Sequence, residues 1–266
     1  MNGNASLAEQ GVETAAQFYD NLSDTYDTMT NFAKRFVHEK PFFNVLVQRY
    51  GIRTALDAGC GTGFHSILLG ELGVRVTALD ISRNMLVRVK EHARKSTATI
   101  DVVESSFLEL PERMRGMYDA VFCMGNSLPH LLTQHDLTHA LRNFAASLKR
   151  GGLLLLQQLN YDRILANRDR IQSIKEADGM TFVRFYEFHK ASVTFNILTL
   201  KKENGEIRER LESTELRPIL KEDLLQAIKA AGFSDVQLHG SIALDDYRGP
   251  ESKDLVVLAR VPDAAA

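Results

Sequence analysis

The run Leu56-Asp57-Ala58-Gly59-Cys60-Gly61-Thr62-Gly63 constrains this chain more than any other stretch. Arg53–Asp57 reads as a short strand, and glycine then alternates with small residues. Glycine tolerates positive φ and lets the backbone approach a ligand closely, so the run predicts a tight turn from strand into helix. That helix, Phe64–Leu72, would aim free N–H groups and the positive end of its dipole at whatever lies over the turn. A second strand, Val74–Leu79, ends in Asp80, a carboxylate placed to accept hydrogen bonds from both hydroxyls of a ribose.

The rhythm continues downstream. Ser82–Lys95 reads as a helix with Ser82 as its N-cap. Strands are expected at Ile100–Val103, Tyr118–Met124 and Leu153–Gln157, with a helix at Asp136–Leu148. The unbroken apolar runs Ala120–Cys123 and Leu153–Leu156 suit strands covered on both faces. Alternating strands and helices predict an α/β fold with a doubly wound, mostly parallel sheet. After Tyr161 the pattern changes. Met180–His189, Val193–Leu200 and Ile207–Leu216 read as three antiparallel strands, with Asn204-Gly205 as a hairpin turn. Lys221–Ala231 returns to helix, and Val236–Leu238 and Leu255–Ala259 complete seven core strands as antiparallel partners at one sheet edge. Upstream of the glycine run, Glu13–Tyr50 reads as helical, broken near Pro41. Residues 1–12 and the final Asp263–Ala266 read as disordered tails. The expected organisation is therefore a tail and helical lid over 1–52, then one cofactor-binding domain over 53–261 with an antiparallel β insertion at 177–218.

Composition narrows the partners. Thirty-two Lys+Arg against 34 Asp+Glu leave a net charge of −2, which argues against a nucleic-acid partner. Two cysteines exclude a disulfide framework or a four-cysteine zinc site. His135 and His139 share a helix face but lack the H-E-x-x-H pattern, so no metal is expected and a solvated face is the reading. Neither a signal peptide nor a membrane-spanning apolar run is apparent, which predicts a soluble, cytoplasmic chain acting on a small molecule. Homo-oligomerisation stays open.

Two ligand classes suit the loop. The dinucleotide pattern G-x-G-x-x-G fails, because Ser66 or Phe64 stands where its last glycine should be. An acid directly before the loop, Asp57, suits a ligand with a cationic amine better than a pyrophosphate. S-adenosylmethionine, which carries an ammonium and a sulfonium, is thus favoured over NAD(P). An NAD(P)-dependent oxidoreductase remains the alternative of a different class, and a non-catalytic S-adenosylmethionine-binding module a third.

From Gln17 to Arg260 the chain resembles the class I S-adenosylmethionine-dependent methyltransferases, which implies a Rossmann-like fold. Ser82-x-x-Met85-Leu86 and Ser105-Ser106-Phe107 fall where that family packs and bonds adenine, implying contacts from Ile81, Met85, Ser106 and Phe107. Gly125-Asn126-Ser127-x-x-His130-Leu131 and Asn160-Tyr161-Asp162 resemble the glycine N-methyltransferase and glycine/sarcosine methyltransferase group. The resemblance implies that Arg35 and Tyr26 grip the methionine end and that Asp57, Gly59, Gly61, Asp80 and the Met124 backbone complete the cofactor site. It implies that His130, Asn126 and Tyr161 face the acceptor. That group has an arginine directly before Asn-Tyr-Asp to bind an amino-acid carboxylate. Leu159 stands there in this chain, so glycine is not the expected substrate. Arg217 and Arg184 are the candidates to supply the missing cation. The expected reaction is methyl transfer to an amine nitrogen of a small molecule, with O-methylation as the alternative. A hydroxyl would need a base, and His130 is the histidine placed for it.

Overall fold

The computed structural model describes residues 12–263. The expected tails, 1–12 and 263–266, lie outside the described residues except for Val12 and Asp263. The N-terminal helices are α1 (Ala15–Leu22), α2 (Tyr26–Thr30) and α3 (Phe32–Tyr50). Then follow β1 (Thr54–Ala58), α4 (Phe64–Glu71), β2 (Arg75–Asp80), α5 (Arg83–Arg94), β3 (Ile100–Glu104), β4 (Tyr118–Cys123), α6 (Gln134–Ser147), β5 (Leu148–Leu159) and α7 (Tyr161–Asn167). An antiparallel block of β6 (Ile171–Ala177), β7 (Met180–Phe188), β8 (Val193–Glu203) and β9 (Glu206–Leu216) precedes α8 (Lys221–Ala230), β10 (Ser234–His239) and β11 (Asp254–Arg260).

The core is a seven-stranded sheet in the order β10-β11-β5-β4-β1-β2-β3. β3, β2, β1, β4 and β5 run parallel, and β11 pairs antiparallel with both β5 and β10. The order reverses between β1 and β4, the crevice where such sheets bind ligands. Side-chain alternation splits the apolar runs between two faces. Leu56, Val121, Leu154, Leu156 and Val257 pack beneath α6 and α8. Ala55, Phe122, Leu153, Leu155 and Val256 pack beneath α3 and α4. That two-sided burial explains why these strands read as continuous apolar stretches.

The structure departs from two sequence expectations. Helix α3 runs through Pro41 rather than breaking there. The break falls at Asn31, whose left-handed φ of 57° separates α2 from α3. Phe36 on one side of Pro41 and Phe43 and Leu46 on the other join a single apolar cluster, and this shared burial outweighs the cost of the proline. The insertion has four strands, not three, and begins at Ile171. β6 pairs only with β7, across a turn at Asp178-Gly179 with both φ positive.

The N-terminal helices and the insertion form one cover. Phe18, Leu22 and Met29 are buried against Phe182 and Ile197 of the insertion and Met85 of α5. Glu13 N–H donates to the Ser213 carbonyl at 2.9 Å. The Asp20 carboxylate accepts from Ser82 Oγ at 2.6 Å and Asn84 N–H at 3.0 Å, seating α1 on the start of α5. Among the described residues no helix is long and apolar enough to cross a membrane.

Gly63 ends the turn with φ of 87°, and an added Cβ would lie 3.0 Å from Val89 Cγ2. Gly63→Ala is expected to cost about 2 kcal/mol from left-handed strain and crowding, lowering Tm by roughly 5 °C. Thermal unfolding checks this, and an unchanged Tm would contradict it.

Candidate functional site

The glycine turn is pinned from outside itself. Gly59 and Cys60 N–H both donate to the Leu79 carbonyl, at 2.8 and 3.0 Å. The Asp80 carboxylate accepts from Gly61 N–H at 2.8 Å and from Ser82 N–H at 2.9 Å. Burial raises the Asp80 carboxyl to a pKa of about 6, against the lowering effect of those two donors. A carboxylate has about four lone-pair sites, so acceptor capacity remains after both bonds.

Above the turn, at the reversal between β1 and β4, lies a cavity of about 260 Å³. Gly59, Gly61, Ile81, Ser106, Phe107 and Leu108 are among its lining residues. A Cβ at Gly59 would lie 2.7 Å from Ser127 Oγ and 3.0 Å from Phe107 Cζ, so only glycine keeps this part of the lining open. Tyr26 and Arg35 also line the cavity. The Arg35 guanidinium lies 4.0 Å over the Phe64 ring and donates through Nε to Glu39 at 2.8 Å. Glu39 also meets His65 Nε2 at 3.3 Å, so three side chains fix the angle of the arginine.

The lining also includes Met124, Ser127 and His130. His130 Nε2 lies 3.1 Å from the Tyr19 hydroxyl of α1, while its Nδ1 is buried without a partner. Burial alone pushes the His130 pKa down to about 4, so the ring is neutral near pH 7. Burial also holds the Tyr19 and Tyr26 phenols above their ordinary range. Asp80 is the one carboxylate on the cavity wall among the described residues.

Tyr26, Arg35, Gly59, Gly61, Asp80, Ile81, Ser106, Phe107, Met124 and His130 thus converge on one cavity. Six predicted residues do not line it. Asp57 is 1% exposed on the α4 side of the sheet, where it accepts from Ser66 Oγ at 2.6 Å. It braces the turn through its bond to the first turn of α4 and does not reach the cavity lining. Met85 is fully buried under the N-terminal helices. Asn126 donates to the Tyr161 hydroxyl at 2.9 Å and accepts from Leu159 N–H at 3.0 Å. Those bonds and the complete burial of Tyr161 make the pair a support behind the wall. Asn160, which precedes Tyr161, is the N-cap of α7.

Arg217 is tied to Gln134 at 2.7 Å and Asp223 at 3.2 Å, at the starts of α6 and α8. Arg184 donates to Ser173 Oγ at 2.7 Å and has no carboxylate partner among the described residues. Burial raises the pKa values of Tyr26 and Tyr186, and the charge of Arg184 opposes that rise without overcoming it. Conversely, Tyr19, Thr30 and Leu131 line the cavity without a sequence expectation for it, and His65, for which the sequence leaves a pocket role and a helix-surface role equally open, lines it too.

Comparison with known proteins fits this geometry. A family model described as "Methyltransferase domain" matches residues 55–152. The chain is 33% identical over 201 residues to glycine/sarcosine N-methyltransferase from Aphanothece halophytica, covering 70% of this chain and 76% of that protein. It is 35% identical over 159 residues to the glycine/sarcosine N-methyltransferase of Parasynechococcus marenigrum (strain WH8102), covering 60% of this chain and 56% of that one. The match to the second thus spans little more than half of its length. Among solved structures, an S-adenosylmethionine-dependent methyltransferase from Clostridium acetobutylicum ATCC 824 superposes with a TM-score of 0.78. It covers 92% of this chain and 99% of that one, at 16% identity.

The residues present fit S-adenosylmethionine. The spare acceptor sites on Asp80 suit a ribose diol, and the glycine turn admits a close ligand. The apolar side chains of Ile81 and Phe107 suit adenine, and Arg35 suits a carboxylate. A protonated Asp80 would lose acceptor capacity. Affinity for S-adenosylhomocysteine is therefore expected to fall as pH drops through about 6, approaching tenfold per pH unit below it. Calorimetric titration between pH 7 and 5 measures this, and Asp80→Asn should bind weakly with no such slope. A wild-type affinity flat over that range would contradict the assignment.

Proposed function

The chain belongs to the S-adenosylmethionine-dependent methyltransferase family, and from that premise we propose that it transfers a methyl group to an amine nitrogen of a small molecule. The observation that carries this reading is the neutral character of the wall around His130. S-adenosylmethionine supplies an electrophilic methyl on a sulfonium. The chain's own task is to hold an acceptor in line and keep water out. An amine nitrogen gains positive charge as it accepts a methyl. A wall of neutral imidazole and phenol, with Arg35 offset by Glu39, does not repel that charge. A hydroxyl acceptor needs a proton acceptor, and His130, with its pKa pushed to about 4, is a weak base for that work.

His130 therefore orients the acceptor rather than deprotonating it. Tyr19 holds its Nε2, leaving Nδ1 as the free hydrogen-bonding atom. The relatives named glycine/sarcosine N-methyltransferase support nitrogen as the acceptor atom. The side chain of Leu159 packs toward the Tyr161 and Tyr186 cluster and supplies no cation for a glycine carboxylate. Arg184, on β7 of the insertion, lies outside the cavity lining, so an anionic group of the acceptor would have to extend beyond that lining to meet it. The oxidoreductase alternative gains nothing from the comparisons, which return methyltransferases.

Labelled-methyl transfer across a panel of primary and secondary amines, phenols, carboxylates and thiols is the test. Amines are expected to react and phenols not to. His130→Ala should cut kcat by about a hundredfold while S-adenosylhomocysteine affinity stays unchanged. Undiminished kcat in that variant, or methylation of phenols alone, would overturn the reading.

A further inference from the structure

His92, in the last turn of α5, lies outside the cavity but touches two of its walls. Its Nδ1 is 2.9 Å from the Thr62 carbonyl in the glycine turn. Its Nε2 is 3.0 Å from Asp27 Oδ2 on α2, the residue after Tyr26. A backbone carbonyl can only accept, and an ionised carboxylate can only accept. A neutral imidazole has one N–H and one lone pair, so it satisfies one partner and turns a lone pair on the other. Only the imidazolium, with two N–H groups, bonds both. Thr62 and Tyr26 both line the cavity.

We propose that His92 is a positioning residue whose imidazolium clasps α2 to the glycine turn, making cofactor affinity depend on its proton. The proposal rests on the S-adenosylmethionine reading of the cavity. The surroundings favour the charge. The Asp27 carboxylate is held below its ordinary range, in part by His92. The C-terminal end of α5 attracts a cation. From α3 the facing group is the uncharged Phe32 ring, 4.6 Å away between centroids. On α5 itself, Arg88 is paired with Glu91 and with Asp24, and Lys95 is the group opposing the charge. The net effect raises the His92 pKa, with the Asp27 hydrogen bond as the largest cause. A raised pKa in the clasped state means that the clasp is complete below the ordinary histidine range. It is lost as pH rises through the raised value.

The test is S-adenosylhomocysteine binding to the full chain by calorimetry at pH 6.5, 7.5 and 8.5, alongside an NMR titration of the histidine ring protons. The His92 signal is assigned by its loss in His92→Gln. Wild-type affinity is expected to weaken toward pH 8.5, by up to about tenfold for each pH unit of the raised pKa. His92→Gln should bind weakly and lack this alkaline slope, and Asp27→Asn should move the slope to lower pH. A slope shared equally by His92→Gln would overturn the proposal, as would a His92 ring titrating at or below the ordinary value. The NMR readout needs no variant beyond the assignment and does not depend on cofactor. A wild-type chain that binds no S-adenosylhomocysteine at any pH would sink the methyltransferase reading, whereas the ring titration judges the clasp separately.

Discussion

The molecule turns on one carboxylate. Asp80 joins the ends of two parallel strands by accepting from the glycine turn after β1 and from the residue that caps α5. Both donors are backbone N–H groups, so the arrangement fixes main chain rather than a mobile side chain. Ser82 passes the constraint outward, because its hydroxyl caps α5 and donates to Asp20 of the covering helix. Sheet, turn and cover are thereby referenced to one point. Keeping that carboxylate buried costs free energy, visible in its raised pKa, and hydrogen bonding offsets the cost only partly.

The core was legible because its physics is local and repetitive. Apolar runs such as Leu153–Leu156 announce two-sided burial, and Gly59-Cys60-Gly61 followed by Asp80 announces a ligand turn. β6 was illegible for the opposite reason. Ile171-Gln172-Ser173-Ile174-Lys175-Glu176-Ala177 is an edge strand bonded on one side, with Ile171 and Ile174 exposed, so no alternation marks it. The Asp178-Gly179 turn was the available signal. Pro41 misled because a proline's local cost is overruled when both halves of a helix bury aromatic residues in the same cluster.

The site was read unevenly for a related reason. Residues that touch a ligand through the backbone turn, or from strand ends, follow from chain order. Residues that reach the cavity from the cover depend on long-range packing, and Tyr19 meets His130 across 111 positions of sequence. Asp57, Asn126 and Tyr161 sit in suggestive motifs but serve one layer back, bracing the atoms that face the cavity. A motif marks a neighbourhood, not which side chain in it reaches the cavity.

The contact between Glu13 and the β8–β9 hairpin has a consequence for synthesis. Glu13 bonds Ser213 and Thr214, the latter 201 positions away, so the start of the cover waits for the insertion to emerge. Closing so long a loop is entropically slow relative to local helix and hairpin formation. The cover is therefore not tied down over the glycine turn until β9 is in place to hold its start. The roofed cavity is accordingly a late product of folding, completed only after most of the chain has been made.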